Sequence, residues 1–158
     1  MTPEYEQYRI GQAEAWLSSV RKLVGYERAM RTAADVQFEM ADGLRGIDYT
    51  RIQVCVSPTP DAIPNAVAAH IDAGNSLVDI ADSTRRRIQQ ATAAIDAMDD
   101  KTEAAVLTAY YIACKTWREV GDMLGISYDS IMKLRRSALC SVYDYMPFNE
   151  REPLSPAL

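Results

Sequence analysis

Lys133, Arg135 and Arg136 stand close together in TWREVGDMLGISYDSIMKLRRSALC, the stretch from Thr116 to Cys140. Just ahead of them come Ser127, Tyr128, Asp129, Ser130 and Met132. Guanidinium and ammonium groups bind phosphate oxygens and the acceptor edge of guanine, while hydroxyls and carboxylates reach other base edges. The chemistry on offer is contact with double-stranded DNA, not the making or breaking of bonds. No other residues have the spacing of a reactive site. The chain has one histidine, His70, and three cysteines, Cys55, Cys114 and Cys140, with no CxxC pair. That disfavours both a zinc site and a disulfide framework. There is no glycine-rich phosphate loop, and Asp99–Asp100 reads as a helix cap. No catalytic residue, metal or cofactor is therefore expected, and the chain is not read as an enzyme.

These groups need a scaffold that presents them. Thr116 and Glu119 form a T-x-x-E capping box, which starts a helix at Trp117. Gly125 suits the left-handed residue that ends it, and Ser127 suits the cap of the next helix. Counting from Trp117 as the first place of a twenty-residue helix-turn-helix, the fourth, eighth, tenth, fifteenth and eighteenth places must be apolar. They hold Val120, Leu124, Ile126, Ile131 and Leu134. The fifth place must be small, and it is Gly121; the ninth, in the turn, is Gly125. The first turn of the second helix is the part that would enter a major groove. On that helix Lys133 and Arg136 share a face opposite Ile131 and Leu134, with Arg135 to the side, toward phosphate. Trp117 reads as a wedge against the Tyr110–Tyr111 helix.

Upstream the pattern is also helical. From Pro3 to Leu44, Trp16, Val20, Leu23, Met30 and Ala34 recur at three- and four-residue steps, with Gly11 and Gly25 as candidate bends. Glycines and Pro58, Pro60 and Pro64 then make a loop over about 43–64, within which RIQVCV could form an edge strand. A second long helix is predicted from Asn65 to Met98, with an imperfect heptad seam through Val67, Ile71, Gly74, Val78, Ala81, Arg85, Ile88, Thr92 and Ile95. TRRRIQQ at 84–90 has the charge for a phosphate-binding patch, but reads first as a solvated helix face with Ile88 inward. Asp100 and Glu103 read as a capping pair for the next helix. The predicted fold is all-α: a coiled-coil-like helical hairpin and oligomerisation region over 1–98, a helix-turn-helix domain over 99–146, and a flexible tail over 147–158. On this division, removal of 1–98 leaves a folded unit.

Composition sets the remaining bounds. The 158 residues are 48% apolar and 25% charged, with net charge −5, which disfavours a protein that coats nucleic acid without regard to sequence. Lys101, Lys115, Arg118, Lys133, Arg135 and Arg136 balance Asp100, Glu103, Glu119, Asp122, Asp129 and Asp144 between residues 100 and 146. A lone copy would bind DNA weakly, so a homo-oligomer, and a dimer first, is expected. The uncharged stretch Ile52 to Pro60 is too short to span a bilayer. The opening MTPEYEQYRI has no basic start before an apolar core, so no signal peptide is expected and a reducing cytoplasm is the expected home.

REVGDMLGISYDSIMKLRRSALCSV resembles the last conserved region of bacterial primary sigma factors, region 4 of the sigma-70 type, which holds a promoter-reading helix-turn-helix. The whole layout more closely resembles phage and prophage regulators of the ArpU/RinA type. In those a long helical section leads to Y-x-x-x-K-T-W-x-E-I-A-x-x-L-G-x-S and a recognition helix ending in an A-L pair. Tyr111, Lys115, Thr116, Trp117, Glu119, Val120, Leu124, Gly125, Ser127, Ala138 and Leu139 carry that likeness. It implies a sequence-specific regulator of phage late genes in a bacterial cytoplasm. Where sigma recognition helices carry several early arginines, this chain has Tyr128, Ser130 and Met132, which leaves Lys133 or Arg136 as the expected base reader. Two other readings stand beside it. One is a small-terminase-like DNA-packaging subunit, and the other is a helix-turn-helix docking module that binds RNA polymerase.

Overall fold

Alanine, glutamate, arginine and methionine fill the segments between breaks, and these residues lose little side-chain freedom in a helix. In the computed structural model, which describes residues 2–46 and 62–152, every element is helical. The order is α1 (Pro3–Arg45), α2 (Ala62–Asp96), α3 (Lys101–Leu107), a π-helical turn (Thr108–Ile112), α4 (Trp117–Leu124), α5 (Tyr128–Val142) and two 3₁₀ turns, Tyr143–Tyr145 and Phe148–Glu150. Pro3 opens α1, where its missing N–H costs nothing, and Glu4 and Glu6 favour the positive end of that helix. Gly11 and Gly25 lie inside α1 and do not interrupt it. RIQVCV and most of the 43–64 loop fall outside the described residues.

The chain divides into two compact units, and the division runs across α1 and α2 instead of falling between residues 98 and 99. Met1–Val24 joins Arg85–Leu158, and Gly25–Thr84 forms the second unit. In the first unit, α1 buries Ile10, Ala13, Trp16, Leu17 and Val20 at helical spacing. They meet Ala91, Ala94 and Ile95 of α2, Met98 just beyond it, Leu107 and Tyr111, and Ala138, Leu139 and Val142 of α5. Full burial of side chains such as Leu17, Ile95 and Leu139 contributes about 1.5–3 kcal/mol each. The first turns of α1 and the last turns of α2 are thus core to the C-terminal unit. The segment beyond Met146 is tied down as far as it is described. Arg151 donates to the carbonyls of Asp144 and Met146, and the Tyr8 hydroxyl donates to the Glu152 carbonyl at 2.7 Å. Residues 153–158 lie outside the described residues.

Local details of this unit follow from orphan backbone groups. The Asp100 carboxylate caps α3 by accepting from the Thr102 and Glu103 N–H groups, at 2.8 and 3.2 Å. Glu103 does not complete a capping box as expected. It turns inward, buried, and accepts from the Ser137 hydroxyl of α5. Lys101 Nζ donates to the Asp96 and Met98 carbonyls, the free acceptors at the end of α2. The wide turn at 108–112 ends in Cys114 at φ 57°, an unusual conformation for a residue with a Cβ. Arg21 braces this junction by donating to the Tyr110 and Lys115 carbonyls, at 2.9 and 3.2 Å.

The Gly25–Thr84 unit holds α1 against α2 along a seam of small residues. Among the described residues, Ala34, Ala41, Gly74, Ala81 and Thr84 are its buried positions. The Phe38 ring lies on Gly74 so closely that a Cβ there would sit 2.6 Å from it. Gln37 and His70 hydrogen-bond at 2.8 Å on one edge of the seam, and Arg31 pairs with Asp82 at 2.9 Å on the other. The heptad reading of α2 places Gly74 and Ala81 correctly inside, while Arg85 is exposed.

Candidate nucleic-acid interface

The two helices around Gly125 are separate, and each begins where side-chain oxygens can satisfy its unpaired N–H groups. Glu119 N–H donates to Thr116 Oγ1 at 3.2 Å, and Thr116 N–H donates to the Glu119 carboxylate at 2.7 Å. These bonds, first that from the Thr116 backbone, hold the Glu119 carboxyl below its ordinary pKa. α4 ends at Gly125, at φ 66°. Ser127 Oγ then accepts from Ser130 N–H at 3.3 Å to cap α5, and the two hydroxyls also bond each other at 2.9 Å. Ser127 and Ser130 thus already have a local task.

Packing between these helices is carried by fewer residues than the spacing predicts. Val120 and Ile131 are buried with Val106 of α3, and Trp117, Met132 and Leu134 pack against that cluster. Gly121 is needed where it stands. A Cβ there would lie 3.1 Å from the Ile126 carbonyl and 3.5 Å from Ile131 Cγ1. Leu124 and Ile126 depart from expectation, at 40% and 37% exposed. They join Met123 and Tyr128, at 66% and 56%, as large apolar groups facing solvent around the turn. Trp117 does act as a wedge. Its ring stacks on Tyr110 with centroids 3.8 Å apart, and Arg135 lies over its ring at 5.2 Å.

The predicted contact residues divide into two groups. Tyr128, Asp129, Ser130 and Lys133 are exposed on the first two turns of α5, and Lys133 makes no ion pair among the described residues. Farther along, the basic groups turn to α1. Arg135 pairs with Glu14, and Arg136 Nε donates to Glu6 at 3.0 Å. Met132 is half-buried, and Ile10, Glu14, Met132, Arg135, Arg136 and Leu139 line a cleft of about 140 Å³. Arg135, for which the spacing predicts a lateral phosphate contact, here packs over Trp117 and pairs with Glu14. Its acidic partner lies far away in sequence, and no local periodicity announces it. Arg118, exposed in the first turn of α4, was not singled out from the sequence. Its position one residue inside a capped helix start was the available signal. Of these basic groups, Lys133 and Arg118 make no ion pair in the described chain.

No protein family, curated protein or solved structure matches this chain. The arrangement around α4 and α5 must be judged on its own geometry. Among the described residues no group of histidine, cysteine and carboxylate side chains could hold a metal ion, and no helix is long and apolar enough to cross a membrane.

Proposed function

We propose that this chain is a sequence-specific DNA-binding regulator, of the phage or prophage kind that its motif resembles, acting in a bacterial cytoplasm. One observation carries the reading. A short capped helix, a left-handed glycine turn and a second capped helix leave Tyr128, Asp129, Ser130 and Lys133 exposed together at the start of α5. That is the part of such a pair that fits a major groove, with Arg118 available to a flanking phosphate. The balanced charge supports selective contact over coating. The test is a titration of the full chain against fragments of host DNA at several salt concentrations. Preference for particular fragments, with affinity falling as salt rises, supports the reading. Equal and salt-independent signals end it.

A second reading has its own support. Met123, Leu124, Ile126 and Tyr128 form an apolar rim beside the same turn, and clustered exposed apolar groups mark protein contacts. A docking module for RNA polymerase would use that rim. Co-purification with polymerase that survives loss of DNA binding would favour it. The DNA-packaging reading would require a ring-forming oligomer that binds DNA ends.

A further inference from the structure

The Gly25–Thr84 unit has two unlike faces. The Gln37–His70 bond marks one edge of the α1–α2 seam and the Arg31–Asp82 pair marks the other. At 100° per residue, Tyr26, Val36 and Met40 fall on the Gln37 side of α1, and Ala73, Leu77 and Ile80 fall on the His70 side of α2. None of the unit's described Asp, Glu, Lys or Arg residues lies on that side. Arg28, Asp35, Glu39, Asp72, Asp79 and Asp82 all lie toward the opposite edge. The steps 26, 29, 33, 36 and 40 alternate three and four, the spacing of a coiled-coil seam, yet no helix of the described chain covers them. Tyr26 is 47%, Val36 43%, Met40 49% and Ile80 41% exposed.

The inner seam explains why such a face needs a partner. Among the described residues its buried positions are alanines, a glycine and a threonine, while Met30, Phe38, Val67, Ile71, Leu77 and Val78 are only half-buried. Two helices alone leave the unit with little hydrophobic stabilisation. We infer that the uncharged face pairs with the same face of a second copy of this chain, forming a four-helix arrangement about a two-fold axis. A two-fold interface sets a surface against itself, so a face without charges avoids like-charge repulsion at every point. Its size suits the task. About 25 Å of helix length by roughly 20 Å across two helices gives a flat footprint of roughly 500 Å². Side-chain relief brings this to the order of the ~800 Å² per partner of a stable interface.

This inference rests on the geometry of one unit and not on the DNA reading, so it is tested without DNA. The purified full chain should sediment and scatter light at about twice its 17.6 kDa mass at micromolar concentration. Val36→Glu combined with Ile80→Glu should yield monomers whose first unit still melts cooperatively by tryptophan emission, whereas Asp79→Lys on the charged side should leave the dimer intact. Ala33→Cys, small enough to spare the face, should give a covalent dimer with a short bis-maleimide well above the background of the native cysteines. Asp35→Cys should not. A monomeric unmodified chain, a double variant that stays dimeric, or equal cross-linking from both cysteine positions overturns the proposal.

Discussion

Gly121 shows how one hydrogen in place of a methyl group positions the turn and the helix after it. Its missing Cβ leaves room for the Ile126 carbonyl and the Ile131 side chain. Gly121→Leu should cost about 1–3 kcal/mol in a urea or thermal melt, with Gly121→Ala milder, because an oversized side chain must push the crossing apart. The arginines make a contrasting case. Arg135→Ala should lower stability by about 1 kcal/mol, mostly through lost cover over Trp117, since a pair with a carboxylate as exposed as Glu14 contributes little. It should leave the salt dependence of DNA binding nearly unchanged. Lys133→Ala should instead cost about 1–3 kcal/mol at a preferred site while the melt is unaltered. Paired melts and salt titrations of both variants separate these roles. Tyr111 adds a pH dependence. Burial pushes its hydroxyl from 10.0 up to about 12. Its folded pKa lies above the unfolded one, so its contribution is complete below pH 10 and is lost as pH rises toward 12. The loss is on the order of 2 kcal/mol, read as falling stability across that window, and Tyr111→Phe should remove it.

The helices were the most legible level, because their signals are local. The ends predicted near residues 44, 65 and 98 lie within three residues of those of α1 and α2, and the Thr116–Glu119 box starts α4 as read. Caps and three-to-four spacing act over a few residues and leave a mark in the sequence. The π-helical turn at 108–112 had no such mark, since Tyr110 and Tyr111 fit ordinary helical spacing equally well. Glu103 passed for a capping residue because its partner, Ser137, is remote in sequence. The same blindness to distant partners hid the contacts of Arg135 and Arg136, and with them half of the candidate interface. It also hid what supports α5. Leu17, Ile95 and Met98 are fully buried in the core it shares. Deletion of residues 1–98 should therefore leave a chain without a cooperative melt, contrary to the hairpin-plus-domain division. Circular dichroism of that fragment, with a sharp transition near that of the full chain as the contrary result, decides the matter.

At the scale of the whole molecule the two units have different means of stability. One encloses large side chains, and the other joins two helices over alanine and glycine. A unit that buries so little should open first on heating, unless a second copy covers it. Both tryptophans, Trp16 and Trp117, belong to the first unit, and the second has none. Tryptophan emission is therefore blind to the second unit's share of the helical signal. In the monomeric variant with Val36→Glu and Ile80→Glu, ultraviolet ellipticity, which sees every helix, should fall in two stages, while tryptophan emission should change only in the later one. Coincident curves would mean that the units melt as a single cooperative body. The aromatic stack of Trp117 on Tyr110 thus gives the chain a built-in optical probe, one that watches the α4–α5 junction without any label.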